Sequence, residues 1–165
     1  MADVIPTDIV FGPLTNLEVA EITAAADHKW NEPPPTFTSL VARAVIEVGP
    51  ADWTVVPGGF VALSLDALDG LDHLARLLTA LVDADVGYDA TQSAIYDHDG
   101  RLVSRRKGMA TPHEVSLNRS GEPIITDTEV LHILDNRLDL AQELRAHFGW
   151  DVPPLIAVPS EDGDI

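Results

Sequence analysis

The hydrophobic pattern changes period several times along the chain, and each change marks an element boundary. Asp8–Phe11 alternates and runs into Phe11-Gly12-Pro13, a turn signal, so a short extended segment opens the fold. Thr15 and Glu18 then stand at capping-box spacing, with the hydroxyl placed to accept from the Glu18 amide. Leu17, Ala20, Ala24 and His28 share one helical face, and Val19, Ile22 and Ala26 an adjacent one, which predicts a helix buried on two sides. Pro33-Pro34-Pro35 stops it. Thr36 is the expected N-cap of a second helix, in which Phe37, Leu40, Val41, Ala44, Val45 and Val48 recur at helical spacing before Gly49-Pro50 ends it. Residues 15–48 thus read as two helices joined by a stiff corner.

Beyond Pro50 the period falls to two. Trp53–Val56 and Gly59–Leu65 read as strands around a Pro57-Gly58 turn. Asp66 is the expected cap of a third helix, with Leu68, Leu71, Leu74, Leu78, Leu81 and Val82 as its apolar stripe. Alternation returns at Ala90. Thr91–Asp97 and Arg101–Arg105 flank His98-Asp99-Gly100, while His113–Asn118 and Glu122–Thr126 flank Arg119-Ser120-Gly121. Two hairpins in succession predict a meander. Thr126 and Glu129 repeat the capping box and open a fourth helix with Val130, Leu134, Leu138, Ala141, Leu144 and Phe148 as its core face, ended by Gly149. Leu155–Val158 reads as a last short strand and Ser160–Ile165 as an acidic flexible tail. The element order predicts an α+β fold: two N-terminal helices and a largely antiparallel sheet, with helices packed on one face. One domain is expected over residues 1–159, with 160–165 as the tail.

Composition narrows the function. The chain has 165 residues, no cysteine and a formal charge of −17. The length suits one domain. The missing thiols exclude a disulfide framework, a thiolate metal site and a cysteine nucleophile. The excess of carboxylates repels phosphate, so direct nucleic-acid binding is not expected. No apolar run is long enough to cross a bilayer, and Met1-Ala2-Asp3 lacks a signal peptide's basic region, which points to a cytoplasmic protein or one carried in an assembled particle. The middle of the chain is the most acidic part: residues 51–100 hold nine aspartates against one arginine.

Candidate chemistry is sparse. Asp97-His98-Asp99-Gly100 is the most metal-like stretch, since Asp-x-Asp can offer two oxygens to a hard cation. A calcium loop would need a glutamate at position 108, which is glycine, so a polar hairpin tip is the competing reading. Of the six histidines, His132 stands three residues from Asp135 on one helix, and no pair has zinc-helix spacing. There is no serine elbow, phosphate loop or dinucleotide fingerprint, and no cofactor is expected.

Two charged surfaces stand out instead. Arg101, Arg105, Arg106 and Lys107 hold four of the ten basic residues within seven positions. They fit an anchor for phosphate or for a partner's carboxylates, or else they neutralise the chain's own aspartates or guard a sheet edge. Asp66, Asp69 and Asp72, with Asp83, Asp85 and Asp89 beyond, form an acidic face suited to a basic partner or to imitating a nucleic-acid backbone. Trp30, Trp53 and Trp150 flank element boundaries, where they serve as hinge packing or as interface anchors. The leading expectation is a non-enzymatic acidic interaction module: a subunit of a larger assembly of the phage virion or accessory type, or an inhibitor of the immunity, antitoxin or DNA-mimic type. Its partner would be another protein held by charge, or a second copy in a homo-oligomer. The alternative is a metal-dependent hydrolase or phosphoryl-transfer enzyme using Asp97 and Asp99.

Overall fold

A computed structural model describes residues 4–27, 37–95, 99–136 and 138–156. In chain order the elements are β1 (Ile5–Gly12), α1 (Asn16–Ala26), α2 (Ser39–Val48), β2 (Asp52–Val56), β3 (Phe60–Ala67), a 3-10 turn (Gly70–Leu74), α3 (Ala75–Asp83), β4 (Gly87–Gln92), β5 (Gly100–Arg105), β6 (His113–Leu117), α4 (Asp127–Asp135) and α5 (Leu140–His147). The fold is α+β, with a six-stranded, wholly antiparallel sheet in the order β2-β3-β1-β4-β5-β6. β4, β5 and β6 form the expected meander. The hairpin β2-β3 lies on the other side of β1.

β1 is the centre of the sheet and is twice as long as the alternation at Asp8–Phe11 implied. Ile5, Thr7, Ile9 and Phe11 are buried, while Pro6 and Asp8 face solvent. Thr7 disguises the pattern. It occupies a core position because its hydroxyl donates to the Ile5 carbonyl at 3.1 Å, so no polar atom is stranded. Register places Ile9 between Leu63 and Ala90, and Phe11 between Val61 and Tyr88. These inward side chains meet Ile22 and Ala25 of α1, Val41 and Val45 of α2, and Leu74, Leu77 and Leu81 around α3. Burial of such side chains, at about 25 cal/mol per Å² of apolar surface, is what holds the three helices to the sheet.

The capping box of α1 forms as expected: Glu18 N donates to Thr15 Oγ1 and Thr15 N donates to the Glu18 carboxylate. α1 is nevertheless buried along one side only, with Leu17 left 62% exposed. The expected cap Thr36, the proline corner and Trp30 lie outside the described residues. Asp66 is not a helix cap. β3 runs to Ala67, so Asp66 sits opposite Pro6 in the ladder, and the chain turns into α3 through the 3-10 segment instead. β4 begins at Gly87, four residues before the expected start, and ends at Gln92.

The C-terminal expectations need two further corrections. Glu122–Thr126 does not form a strand. Leu117 bridges Pro123 and Ile124 N donates to Ser116 O at 2.9 Å, and proline has no donor to extend the pairing. The single fourth helix is two: α4 ends at Asp135 with Asn136 as its C-cap, and Asp139 caps α5 by accepting from Gln142 N at 3.1 Å. This break destroys the common helical phase of the expected core face. Leu134 and Leu138 are therefore exposed, and α4 buries only Ile133. Leu155 stands in a bend rather than a strand, and residues 157–165 lie outside the described set.

The arm carrying α4 and α5 is tied to the side of the sheet away from the main core. Val115 and Leu117 point that way and are buried. Gly149 lies against the His113 ring, where an added Cβ would come within 2.6 Å, and Arg106 Nε donates to the Pro153 carbonyl. Trp150 stacks on Phe148 with ring centroids 5.5 Å apart and stays 62% exposed, so it is not buried hinge packing.

Candidate functional site

The basic run is placed where it neutralises the chain's own aspartates. Arg101 and Arg105 share the helix-covered face of β5, as their spacing implied. Arg101 Nε donates to Glu114 Oε1 at 2.8 Å and Nη1 to Asp72 Oδ1 at 3.2 Å, which joins β6 to the turn before α3. The Glu114 bond, opposed by partial burial and aided by Asp72, holds the Arg101 guanidinium above its ordinary pKa. Arg105 is only 4% exposed. It donates to Val86 O at 3.0 Å and to Asp85 Oδ1 at 2.8 Å. Arg106 makes a fork on Asp89, at 2.7 and 3.2 Å, and also donates to the carbonyls of Tyr88 and Pro153. Lys107 is exposed. Asp85 accepts from the Gly108 amide and from Arg105, and these two bonds hold its carboxyl below the usual range.

The acidic residues divide into three groups. Asp85 and Asp89 are engaged by the arginines. Asp66 faces solvent on the open side of the sheet, the side opposite α1–α3. There it joins a row that sequence reasoning missed: register sets Asp52, Ser64 and Asp8 side by side across β2, β3 and β1, with Ser64 Oγ donating to the Asp8 carboxylate. The signal was present, since alternation along each strand puts Asp8, Asp52 and Asp66 opposite to the apolar positions. Strand order, which sequence did not reveal, makes them neighbours.

Asp69 and Asp72 form the third group, with Asp99. Together with Ile5, Leu68, Gln92 and Arg101 they line a cleft of about 380 Å³ at the end of the sheet. Gln92 builds it. This side chain is 6% exposed, accepts from Leu71 N at 3.0 Å and donates to Asp99 O at 3.2 Å. It therefore clamps the turn before α3 to the hairpin after β4. Gly70 makes room: at φ +56 it turns the chain tightly, and a Cβ there would lie 2.2 Å from the Gln92 amide oxygen. The cleft thus gathers four residues picked out from sequence, Asp69, Asp72, Asp99 and Arg101. Asp97 and His98 lie outside the described residues. Among the described residues no group of three or more His, Asp or Glu side chains is arranged to hold a metal ion.

Two of the described histidines hold backbone carbonyls. His73 Nε2 donates to Val48 O at 3.0 Å, and His147 Nε2 to Ile124 O at 2.8 Å. His132 meets Asn136 rather than Asp135. Glu129 accepts from the Thr126 amide and hydroxyl and stands 3.5 Å from His147, and these contacts, the amide first, hold its carboxyl below the usual range. Among the described residues no helix is long and apolar enough to cross a membrane. Compared with known family models, with curated proteins and with solved structures, the chain matches none.

Proposed function

We propose that this protein is a non-enzymatic interaction module that engages a basic surface on another protein. One observation carries this reading. Arg76, Arg101, Arg105, Arg106 and Arg145 each pair with a carboxylate of the same chain, whereas Asp8, Asp52, Asp66, Asp69 and Asp99 stay exposed on the open sheet face and around the adjoining cleft. Arg105 and Arg106 are drawn in from solvent, while these aspartates face it. Such a surface steers a cationic partner and rejects anionic ones. It serves a subunit of a larger assembly of the phage virion or accessory type, or an inhibitor that covers a basic site, of which a DNA mimic is one form. A cytoplasmic place, or one within an assembled particle, suits either role.

Affinity capture from the source cell, read by mass spectrometry, tests this. The expected result is a partner with a basic surface that high salt releases. Each surface pair is worth only about 0–1 kcal/mol, so single changes matter little. Asp8→Lys, Asp52→Lys and Asp66→Lys together, with Asp69→Lys added in a second variant, should abolish capture while the fold survives. Capture unchanged in both folded variants, at low and at high salt, overturns the reading. The rival metal-dependent hydrolase would announce itself as a melting temperature raised by magnesium, calcium or zinc and returned to normal in Asp99→Asn.

A further inference from the structure

α3 does not close over the whole helix side of the sheet. Between it and β4–β6 lies an elongated cavity of about 420 Å³, with Leu78 and Val82 of α3 in one wall and Val103 of β5 in the floor. Register gives it two unlike ends. Tyr88 pairs with Arg105 at one end, and Arg101 lies four residues back along β5, about 13 Å of strand away. Tyr88 is the deep end, only 1% exposed. Among the described residues its hydroxyl makes no hydrogen bond, although a buried tyrosine usually finds one. Burial raises its pKa, opposed by Arg105 and aided by Glu114, so the phenol stays protonated at neutral pH and is able to donate as well as accept. At the outer end the Arg101 guanidinium lies between two carboxylates, Glu114 at 2.8 Å and Asp72 at 3.2 Å, and all three residues line the cavity. Asp72 and Glu114 are well exposed, and the three charges sum to −1.

We infer that this cavity binds a small amphiphilic amine: its apolar, ring-sized body lies between α3 and Val103, an uncharged hydroxyl or carbonyl at one end meets Tyr88, and its ammonium meets Asp72 and Glu114 at the mouth. The polarity follows from depth. A cation at the Tyr88 end would be stripped of water beside the buried Arg105, whereas at the mouth it keeps part of its water and gains two carboxylates. An anion at the mouth finds Arg101 already engaged on both sides and meets a net negative charge. The same depth separates a free ligand from a partner's lysine or arginine side chain, which would enter charge first and carry its cation to the wrong end. The volume falls in the range of about 300–1,000 Å³ that small-molecule sites occupy. The site lies on the opposite side of the sheet from Asp8, Asp52 and Asp66, so it stands apart from the acidic face proposed above to meet a protein.

The probe is tyramine, which carries a phenol and an ammonium at opposite ends of one ring-based body. It is titrated into the isotope-labelled full chain and followed by NMR, beside 4-ethylphenol and 4-hydroxyphenylpropionate as its uncharged and anionic counterparts. We expect tyramine to shift the amides of Leu78, Val82, Tyr88 and Val103 saturably. The uncharged phenol should bind about two- to fivefold more weakly, and the anion should leave these amides unmoved. Tyr88→Phe should weaken tyramine about two- to tenfold while the melting temperature holds, since the hydroxyl has no partner to lose. Asp72→Asn should weaken tyramine but not 4-ethylphenol. If none of the three probes moves these amides at millimolar concentration, or the anion binds as well as the amine, the proposal is overturned. Unchanged tyramine binding in Tyr88→Phe overturns it as well. So does a Tyr88→Phe variant that melts several degrees lower, because the hydroxyl would then already be spent inside the fold.

Discussion

Gly70 and Gln92 should behave as one unit, and a double-mutant cycle reads that directly. In Gly70→Ala, two costs appear. Alanine must hold a left-handed backbone at φ +56, and its Cβ must displace the Gln92 amide, which would otherwise lie 2.2 Å away. The first costs about 1–2 kcal/mol. The amide is the far end of a flexible side chain and can yield, but yielding breaks its bond to the buried Leu71 N–H, and stranding such a donor costs about 1–3 kcal/mol. Gln92→Ala alone loses the same bond and leaves a small void, for about 2–4 kcal/mol. In the double variant nothing remains to be displaced, so the loss should fall short of the sum by about 1–2 kcal/mol. For a chain of this size about 1 kcal/mol moves the melting temperature by about 2–4 °C, so each single variant should melt several degrees lower. Thermal and urea unfolding of the four proteins supply the cycle. Costs that add within about 0.5 kcal/mol would show that the two side chains do not meet, and the construction of the cleft would be wrong.

Other consequences follow from the charged residues. Arg105→Met should destabilise by about 2–3 kcal/mol in urea melts, because it removes a buried guanidinium from the Val86 carbonyl, whereas Lys107→Met at the exposed neighbour should change stability by less than about 0.5 kcal/mol. Asp85 and Glu129 are held below their unfolded values of 3.8 and 4.5, so both favour the folded state above those values. That contribution is lost as the pH falls through their lowered folded values, and the amides of Gly108 and Thr126 should shift in NMR spectra over that acidic range; stability that rises on acidification through it would overturn the assignment. Millimolar magnesium, calcium or zinc should leave the melting temperature unchanged beyond ionic screening, because a specific site at a hundredfold excess over Kd would stabilise by about 2.7 kcal/mol. Splitting the C-terminal arm is testable too: Leu134→Gln should cost less than about 0.5 kcal/mol and Ile133→Ala about 2–4 kcal/mol, the reverse of what a single long helix with Leu134 on its core face would give.

What could be read from the sequence was local, and it was local for a physical reason. The capping boxes Thr15–Glu18 and Thr126–Glu129 close over three residues, so spacing alone predicts them, and both form. The stripe of α2 and the glycine that ends it depend only on neighbours within a few turns, as does the hairpin between β2 and β3. Even the α+β class follows from the order of local periods. Errors arose where a local signal was outvoted from a distance. Thr7 is polar but buried because β1 runs between two other strands, and Asp66 has the chemistry of a cap but is held in a ladder with Pro6. Strand order, with β1 placed between β3 and β4, has no short-range signature, because it is settled by which surfaces bury most area once all are present. That same order decided the site. Sequence alone determined that the chain is acidic and that four cations crowd into residues 101–107; only the tertiary structure turned three of those cations inward onto Asp72, Asp85, Asp89 and Glu114 and left Asp8, Asp52 and Asp66 as neighbours on an open face, because ion pairs are chosen by distance in space and not by distance along the chain.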